Sequence, residues 1–139
     1  MSQTLTNKLK LRVSYADTDQ MSVVYYSRYF EYFERGRTEL LREIGLPYAD
    51  MEKKDLKLPV IESHCEYKKG IKYDELIVIK TCLIEPPKST LRMDYEILDE
   101  TEKEIRARGY TVHSFVNQYG KAIRPPKDFV ALITKYIVG

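Results

Sequence analysis

Between Ser27 and Ile44 the apolar residues fall at helical spacing, and most of the chain beyond Pro59 alternates at a period of two. Tyr26, Tyr29, Phe30, Phe33, Leu40, Leu41 and Ile44 form one stripe, with Gly36 where the stripe needs little bulk. Arg28, Glu31, Glu34, Arg35, Glu39 and Arg42 fill the other side, and Glu31 is spaced to pair with Arg35. The stop is explicit. Gly45 suits the left-handed position after a helix, Leu46 can fold back on Leu41, and Pro47 cannot continue the helix. One helix cannot cover both faces of a sheet of about five strands. The simplest solution is a sheet curved around that helix.

The strand runs are read from alternation and from turn residues. Leu9 to Tyr15 alternates and predicts a half-buried strand. Residues 47–59 read as an irregular connection. Val60–Lys68, Leu76–Glu85, Thr90–Leu98 and Glu104–Asn117 come next as strands, mostly linked as an antiparallel meander, with Leu76–Glu85 apolar enough to lie inside the sheet. Gly109 within the last run predicts a bulge or a close backbone approach. Asp128 is placed to cap a short final helix reaching about Tyr136. A curved sheet leaves an exposed edge, which suggests pairing with a second copy.

At 139 residues the chain reads as one domain, with 23 basic against 21 acidic residues. That balance calls for neither a nucleic-acid partner nor an anionic membrane. There is no apolar run of spanning length and no signal-like start, so the expected location is the cytoplasm. Cys65 and Cys82 lie in strand runs without metal-ligand spacing and read as reduced core thiols. Twelve tyrosines without a tryptophan suggest pockets or interfaces with an apolar wall and a polar tip.

The chemistry concentrates in Tyr15-Ala16-Asp17-Thr18-Asp19-Gln20-Met21-Ser22-Val23-Val24-Tyr25-Tyr26. Two aspartates come after a strand and directly precede the long helix. A carboxylate then stands beside unpaired N–H groups carrying partial positive charge, a pairing suited to acyl hydrolysis. On pattern alone Asp19 reads first as a turn or cap carboxylate without chemistry, and Asp17 reads as structural. His64 reads as a solvated strand residue and His113 as a satisfied, partly buried one; two histidines without carboxylates at ligand spacing make no metal site.

With Tyr15, Asp17-Thr18-Asp19, Val23-Val24-Tyr25-Tyr26, Tyr29, Phe33-Glu34-Arg35-Gly36-Arg37-Thr38-Glu39, Gly45, Tyr67 and Tyr73-Asp74-Glu75-Leu76, residues 8–130 resemble the hot-dog-fold acyl-CoA thioesterases. Within these the chain resembles the 4-hydroxybenzoyl-CoA thioesterase type, including the Tol–Pal-associated acyl-CoA thioesterases. The resemblance implies an α+β hot-dog domain over 1–139, with an antiparallel sheet of about five strands wrapped around one long helix. It implies hydrolysis of an acyl-CoA, or of an acyl-carrier thioester, by a homodimer or homotetramer. Coenzyme A is then part of the substrate, and no separate cofactor is needed. Asp19 maps onto the catalytic carboxylate, as general base or nucleophile, and Tyr26 onto the amide that meets the oxyanion. Tyr25 and Tyr29 are candidate acyl-pocket residues, with packing in the core or at an interface as the alternative for each. Lys88 and Ser89, in Pro86-Pro87-Lys88-Ser89, match a coenzyme-A-contacting segment, and Arg124 is a weaker match. Lys68, Lys69, Arg106 and Arg108 are phosphate candidates by charge alone. The active site would lie at the subunit interface. A non-catalytic acyl-CoA or acyl-carrier binding module of the same fold is the alternative function. The family usually carries Gly at the position of Ser22, where Ser is strained at positive φ or else caps the helix.

Overall fold

A computed structural model describes residues 4–137. The elements run β1 (Leu5–Arg12), a 3-10 turn (Tyr15–Asp17), α1 (Arg28–Glu43), α2 (Tyr48–Lys53), β2 (Val60–Tyr67), β3 (Leu76–Leu83), β4 (Thr90–Asp99), β5 (Ile105–Ser114) and α3 (Lys127–Ile137). The strands form one antiparallel sheet in the order β1-β3-β4-β5-β2. Helix α1 packs on the sheet against β1, β3 and β4, and the architecture is the expected hot-dog fold.

Helix α1 is seated by aromatic and aliphatic packing. Tyr29, Tyr32, Phe33, Gly36, Leu40 and Leu41 are its buried residues, and Phe33 stacks on Tyr95 of β4 with ring centroids 4.3 Å apart. The stripe predicted from periodicity includes Tyr26 and omits Tyr32. In the structure Tyr32 is buried, and Tyr26 lies outside the helix, 59% exposed. The helix ends as expected: Gly45 has φ 86°, its N–H bonds the Arg42 carbonyl, and the Leu46 N–H bonds the Leu41 carbonyl at 2.8 Å. Glu31 takes Arg28 as its salt-bridge partner rather than the expected Arg35.

Several boundaries differ from those expected from sequence. β1 starts four residues earlier, because Leu5–Leu9 continues the ladder against Leu83–Ile79. Tyr15 lies beyond the strand in the 3-10 turn. The connection 47–59 contains a helix, α2, with Pro47 at its N-cap in an extended conformation. Asp128 lies within the first turn of α3 rather than capping it. β3 is interior, as expected, although β4 is the middle strand. At Gly109 the close approach is the operative alternative. A Cβ there would stand 2.7 Å from the Phe33 ring, and the register shifts lie elsewhere, at Ile97/Leu98 and Val60/Glu62.

β2 is an edge strand. Seven of its eight residues are exposed and only Cys65 is half-buried. Among the described residues no helix is long and apolar enough to cross a membrane.

Candidate active site

Residues 17–25 form a small hairpin that delivers two functional groups to one place. Thr18 pairs with Val24. The Asp19 N–H bonds the Val23 carbonyl at 2.9 Å, and the Tyr25 N–H bonds the Asp17 carbonyl at 3.0 Å. The tip turns at Ser22, whose φ is 65°. Ser22 is therefore the strained turn residue, not a helix cap; the cap position belongs to Ser27. Asp17 is structural, as expected. Its Oδ2 accepts the Tyr32 hydroxyl at 2.9 Å, and Arg28 stands 4.0 Å from Oδ1. Burial first, and then the bond to Asp17, push the Tyr32 phenol well above its ordinary range.

The hairpin is braced by residues 70–72. The Val24 N–H bonds the Ile71 carbonyl at 2.7 Å, and Val23 pairs with Lys72. Between these segments lies a cleft of about 360 Å³ lined by Asp19, Val23, Val24, Tyr25, Tyr26, Tyr29, Tyr67, Lys68, Lys69 and Gly70.

Asp19 is exposed in this cleft. Its Oδ1 accepts the Met21 N–H at 2.8 Å, an Asx turn that fixes the side chain. Its Oδ2 has no hydrogen-bond partner among the described residues. Tyr26 precedes the N-cap of α1, and its N–H has no acceptor among the described residues. The carbonyl of the same peptide group, from Tyr25, accepts the Arg28 N–H at 2.9 Å. That bond polarises the free N–H further. The Tyr26 carbonyl accepts the Tyr67 hydroxyl at 3.2 Å, and the Tyr67 ring meets Tyr29 edge-on with centroids 4.8 Å apart. The Tyr25 phenol is raised, first by its hydrogen bond with Tyr26 and least by the charge of Asp19.

The structure thus brings Asp19, Tyr25, Tyr26 and Tyr29 together. It separates them from Lys88, Ser89 and Arg124. Lys88 lines a second hollow of about 320 Å³ with Ile84, Glu85, Pro86, Thr90, Arg92 and Asp94. Ser89 is exposed on the same β3–β4 turn. Arg124 lies just after Ile123, whose N–H bonds Phe115 at the end of β5, and it lines neither cleft. The ladder gives the separation. Tyr67 pairs with Ala107 and Thr90 with Ser114, and these two positions of β5 stand roughly 23 Å apart at about 3.3 Å per residue.

Of the residues chosen by charge alone, Lys68 and Lys69 line the cleft beside Asp19. Arg106 and Arg108 do not. Arg106 is bound to Glu75 and Glu104, and Arg108 to Glu96. Tyr67 and Gly70 are lining residues that sequence reasoning did not place in the site, although the change from strand to Lys-Lys-Gly at residues 68–70 marks the spot. His64 is on the exposed edge, 3.7 Å from Glu66 and stacked on Tyr110. His113 is buried, with Nδ1 2.9 Å from the Leu58 carbonyl and Nε2 2.8 Å from the Thr111 hydroxyl. Cys65 and Cys82 are free thiols, and burial pushes the Cys65 thiol up to about 11.

The profile of the thioesterase-like superfamily matches residues 13–133, nearly all of the chain that carries this hairpin, sheet and helix. The chain belongs to that superfamily. A putative esterase of Aquifex aeolicus is 33% identical over 122 residues, covering 88% of this chain and 93% of that one. The putative acyl-CoA thioesterase YneP of Bacillus subtilis is 43% identical over 75 residues, about half of each chain. Among solved structures, the DHNA-CoA thioesterase of Staphylococcus aureus superposes with a TM-score of 0.87 at 30% identity, covering 94% of this chain and 89% of that one. Membership in this superfamily of hot-dog thioesterases makes the chain a thioester hydrolase by class.

Proposed function

We propose that the protein hydrolyses acyl-CoA thioesters, with Asp19 and the Tyr26 N–H acting on the carbonyl and cations near Lys88 of the partner subunit holding the phosphates. What supports this reading is one observation: Asp19, with an oxygen free of hydrogen bonds, and Tyr26, with an unpaired N–H just before the helix, line the same tyrosine-rich cleft. The thioester oxygen would accept the Tyr26 N–H. One well-aimed oxyanion donor is worth about 3 kcal/mol. Asp19 takes the proton of a water whose oxygen attacks the carbonyl carbon. The tetrahedral intermediate then expels the coenzyme A thiolate, and the proton passes from Asp19 to the sulfur. A thiolate is a good leaving group, with a parent thiol pKa of about 8.5, so no strong acid is required. In the alternative route the Asp19 carboxylate attacks the carbonyl carbon directly, the C–S bond breaks to release the coenzyme A thiolate, and water then opens the mixed anhydride at the Asp19 carboxyl carbon, giving the free acid and restoring Asp19. Label found in Asp19 after a single turnover in oxygen-18 water identifies the second route, with water attacking the Asp19 carboxyl carbon.

The strand ladder supports a shared site. Within one chain Lys88 and Asp19 sit at opposite ends of the sheet. An antiparallel pairing of the exposed β2 with β2 of a second copy brings the Val60 end of one beside the Tyr67 end of the other. That pairing makes the protein a homodimer, or a tetramer built from dimers. Tyr25 and Tyr29 would meet the acyl group, with Ser89 and Arg124 near the phosphates. A cytoplasmic location belongs to the same proposal and is supported by the two free thiols.

The test is thiol release from a panel of aliphatic and aromatic thioesters, on both coenzyme A and a carrier protein. Turnover of coenzyme A esters is expected. Tight binding of the esters without any release would favour the non-catalytic binding module.

A further inference from the structure

The wall that braces the Asp19–Tyr26 hairpin is itself attached to one nearly buried guanidinium. The side chain of Arg106, on β5, is 11% exposed. Its Nη1 donates to the Gly70 carbonyl at 3.0 Å. Its Nη2 lies 2.9 Å from Glu75 Oε2, and its Nε donates to Glu104. The backbone of the same residue completes the attachment: the Arg106 carbonyl accepts the N–H of Lys68 at 2.9 Å and of Lys69 at 3.1 Å. Glu75 in turn accepts the Lys72 N–H at 2.9 Å. Residues 68–75 are thus held at both ends and in the middle. This segment supplies Ile71 to the Val24 N–H and Lys72 to Val23, so its position sets where the hairpin stands.

We propose that Arg106, through Gly70 and Glu75, is a positioning residue for hydrolysis: it holds residues 68–72 so that the Asp19–Val24–Tyr26 hairpin keeps its catalytic geometry. The inference rests on the function proposed above. Arg106 lines no part of the cleft and meets no reacting atom; it acts through two intervening hydrogen bonds. The guanidinium is suited to this because its donors leave in fixed directions and reach a carbonyl and a carboxylate together. A lysine at the same place carries the charge but spans only one of them. The Arg106–Glu75 pair also faces little solvent, so loss of one partner leaves the other poorly compensated.

The experiment compares wild type with Arg106→Gln, Arg106→Lys and Glu75→Gln in steady-state hydrolysis and in amide hydrogen exchange. The expected result for all three is a fall in kcat of about 10- to 100-fold with KM changed by less than about threefold, since small misplacement of a reacting group is costly to rate. Exchange quickens at residues 22–26 and 68–72 while β3 and β4 stay protected. Arg106→Lys fails to rescue. Glu75→Gln leaves the guanidinium in place and keeps the test open if an Arg106 variant does not fold. The proposal is overturned if kcat stays within about twofold of wild type, if lysine restores it, or if exchange rises across the whole sheet. A wild type that releases no thiol refutes the proposed function instead, and the exchange arm still decides whether Arg106 holds the hairpin.

Discussion

Gly36 of α1 lies directly over Thr81 of β3: a Cβ on Gly36 would stand 2.8 Å from the Ile79 side chain and closer still to the Thr81 hydroxyl. Thr81 and Ile79 are both fully buried, so neither has room to retreat. Gly36→Ala is therefore expected to destabilise the fold by about 1–3 kcal/mol despite its better helix propensity. Urea unfolding measures this, and a stability equal to wild type would contradict the close packing of helix on sheet.

Ser22 carries a left-handed backbone at the hairpin tip, where its side chain is exposed. Left-handed geometry costs a non-glycine residue about 1–2 kcal/mol, part of which glycine returns through its freer unfolded chain. Ser22→Gly should raise Tm slightly and leave kcat within about twofold of wild type. A drop in Tm would show that the Ser22 side chain contributes something beyond its backbone.

His113 predicts a pH dependence of stability. Burial holds its imidazole below the ordinary value; the bond to the Leu58 carbonyl opposes this, and the charge of Arg37 adds to it. A carbonyl only accepts, so Nδ1 carries the proton and neutral Nε2 accepts from Thr111, whose oxygen also meets the Tyr95 hydroxyl at 2.7 Å. A base with a lowered folded pKa contributes fully above its unfolded value, about 6.5, and the contribution is lost as pH falls from there through the folded value. Tm should hold from pH 8 to about 6.5 and then decline. His113→Gln should be less stable at pH 7.5 and flatter below 6.5. Equal slopes would remove His113 as the cause.

The proposed shared site predicts complementation between two impaired chains. In that proposed homodimer Asp19→Asn and Lys88→Glu would each damage both sites. A mixed dimer has one site with both lesions and one with neither. Refolding the two together should restore about a quarter of wild-type activity at low substrate, from half the dimers with half their sites intact. Activity no greater than the sum of the separate variants would place Lys88 outside the neighbouring site.

Local periodicity and punctuation made part of the molecule legible from sequence. Gly45-Leu46-Pro47 closed the helix where it closes, and the alternation of Leu91, Met93, Tyr95 and Ile97 marked the inner face of β4. Asp19 stood out because a carboxylate, a turn and a helix start occur together in twelve residues. Elements held by distant partners were hidden. The first half of β1 breaks alternation at Asn7 and Lys8 and is a strand because β3 pairs with it. Tyr32 is buried because Asp17 receives its hydroxyl. Residues 68–70 line the cleft, and one of their attachments is Arg106, more than thirty positions later. Helix α2, at six residues, is too short to show a period.

The central claim is that the Asp19 carboxylate works on a thioester carbonyl. Asp19→Asn tests it with little structural disturbance, because the amide oxygen can still accept the Met21 N–H. The measurement is the rate of coenzyme A release from the best ester of the panel, together with Tm. The expected result is a fall in kcat of about 10²- to 10⁴-fold, the usual worth of a positioned base, with Tm and ester binding close to wild type. An asparagine variant that releases coenzyme A at the wild-type rate would contradict it.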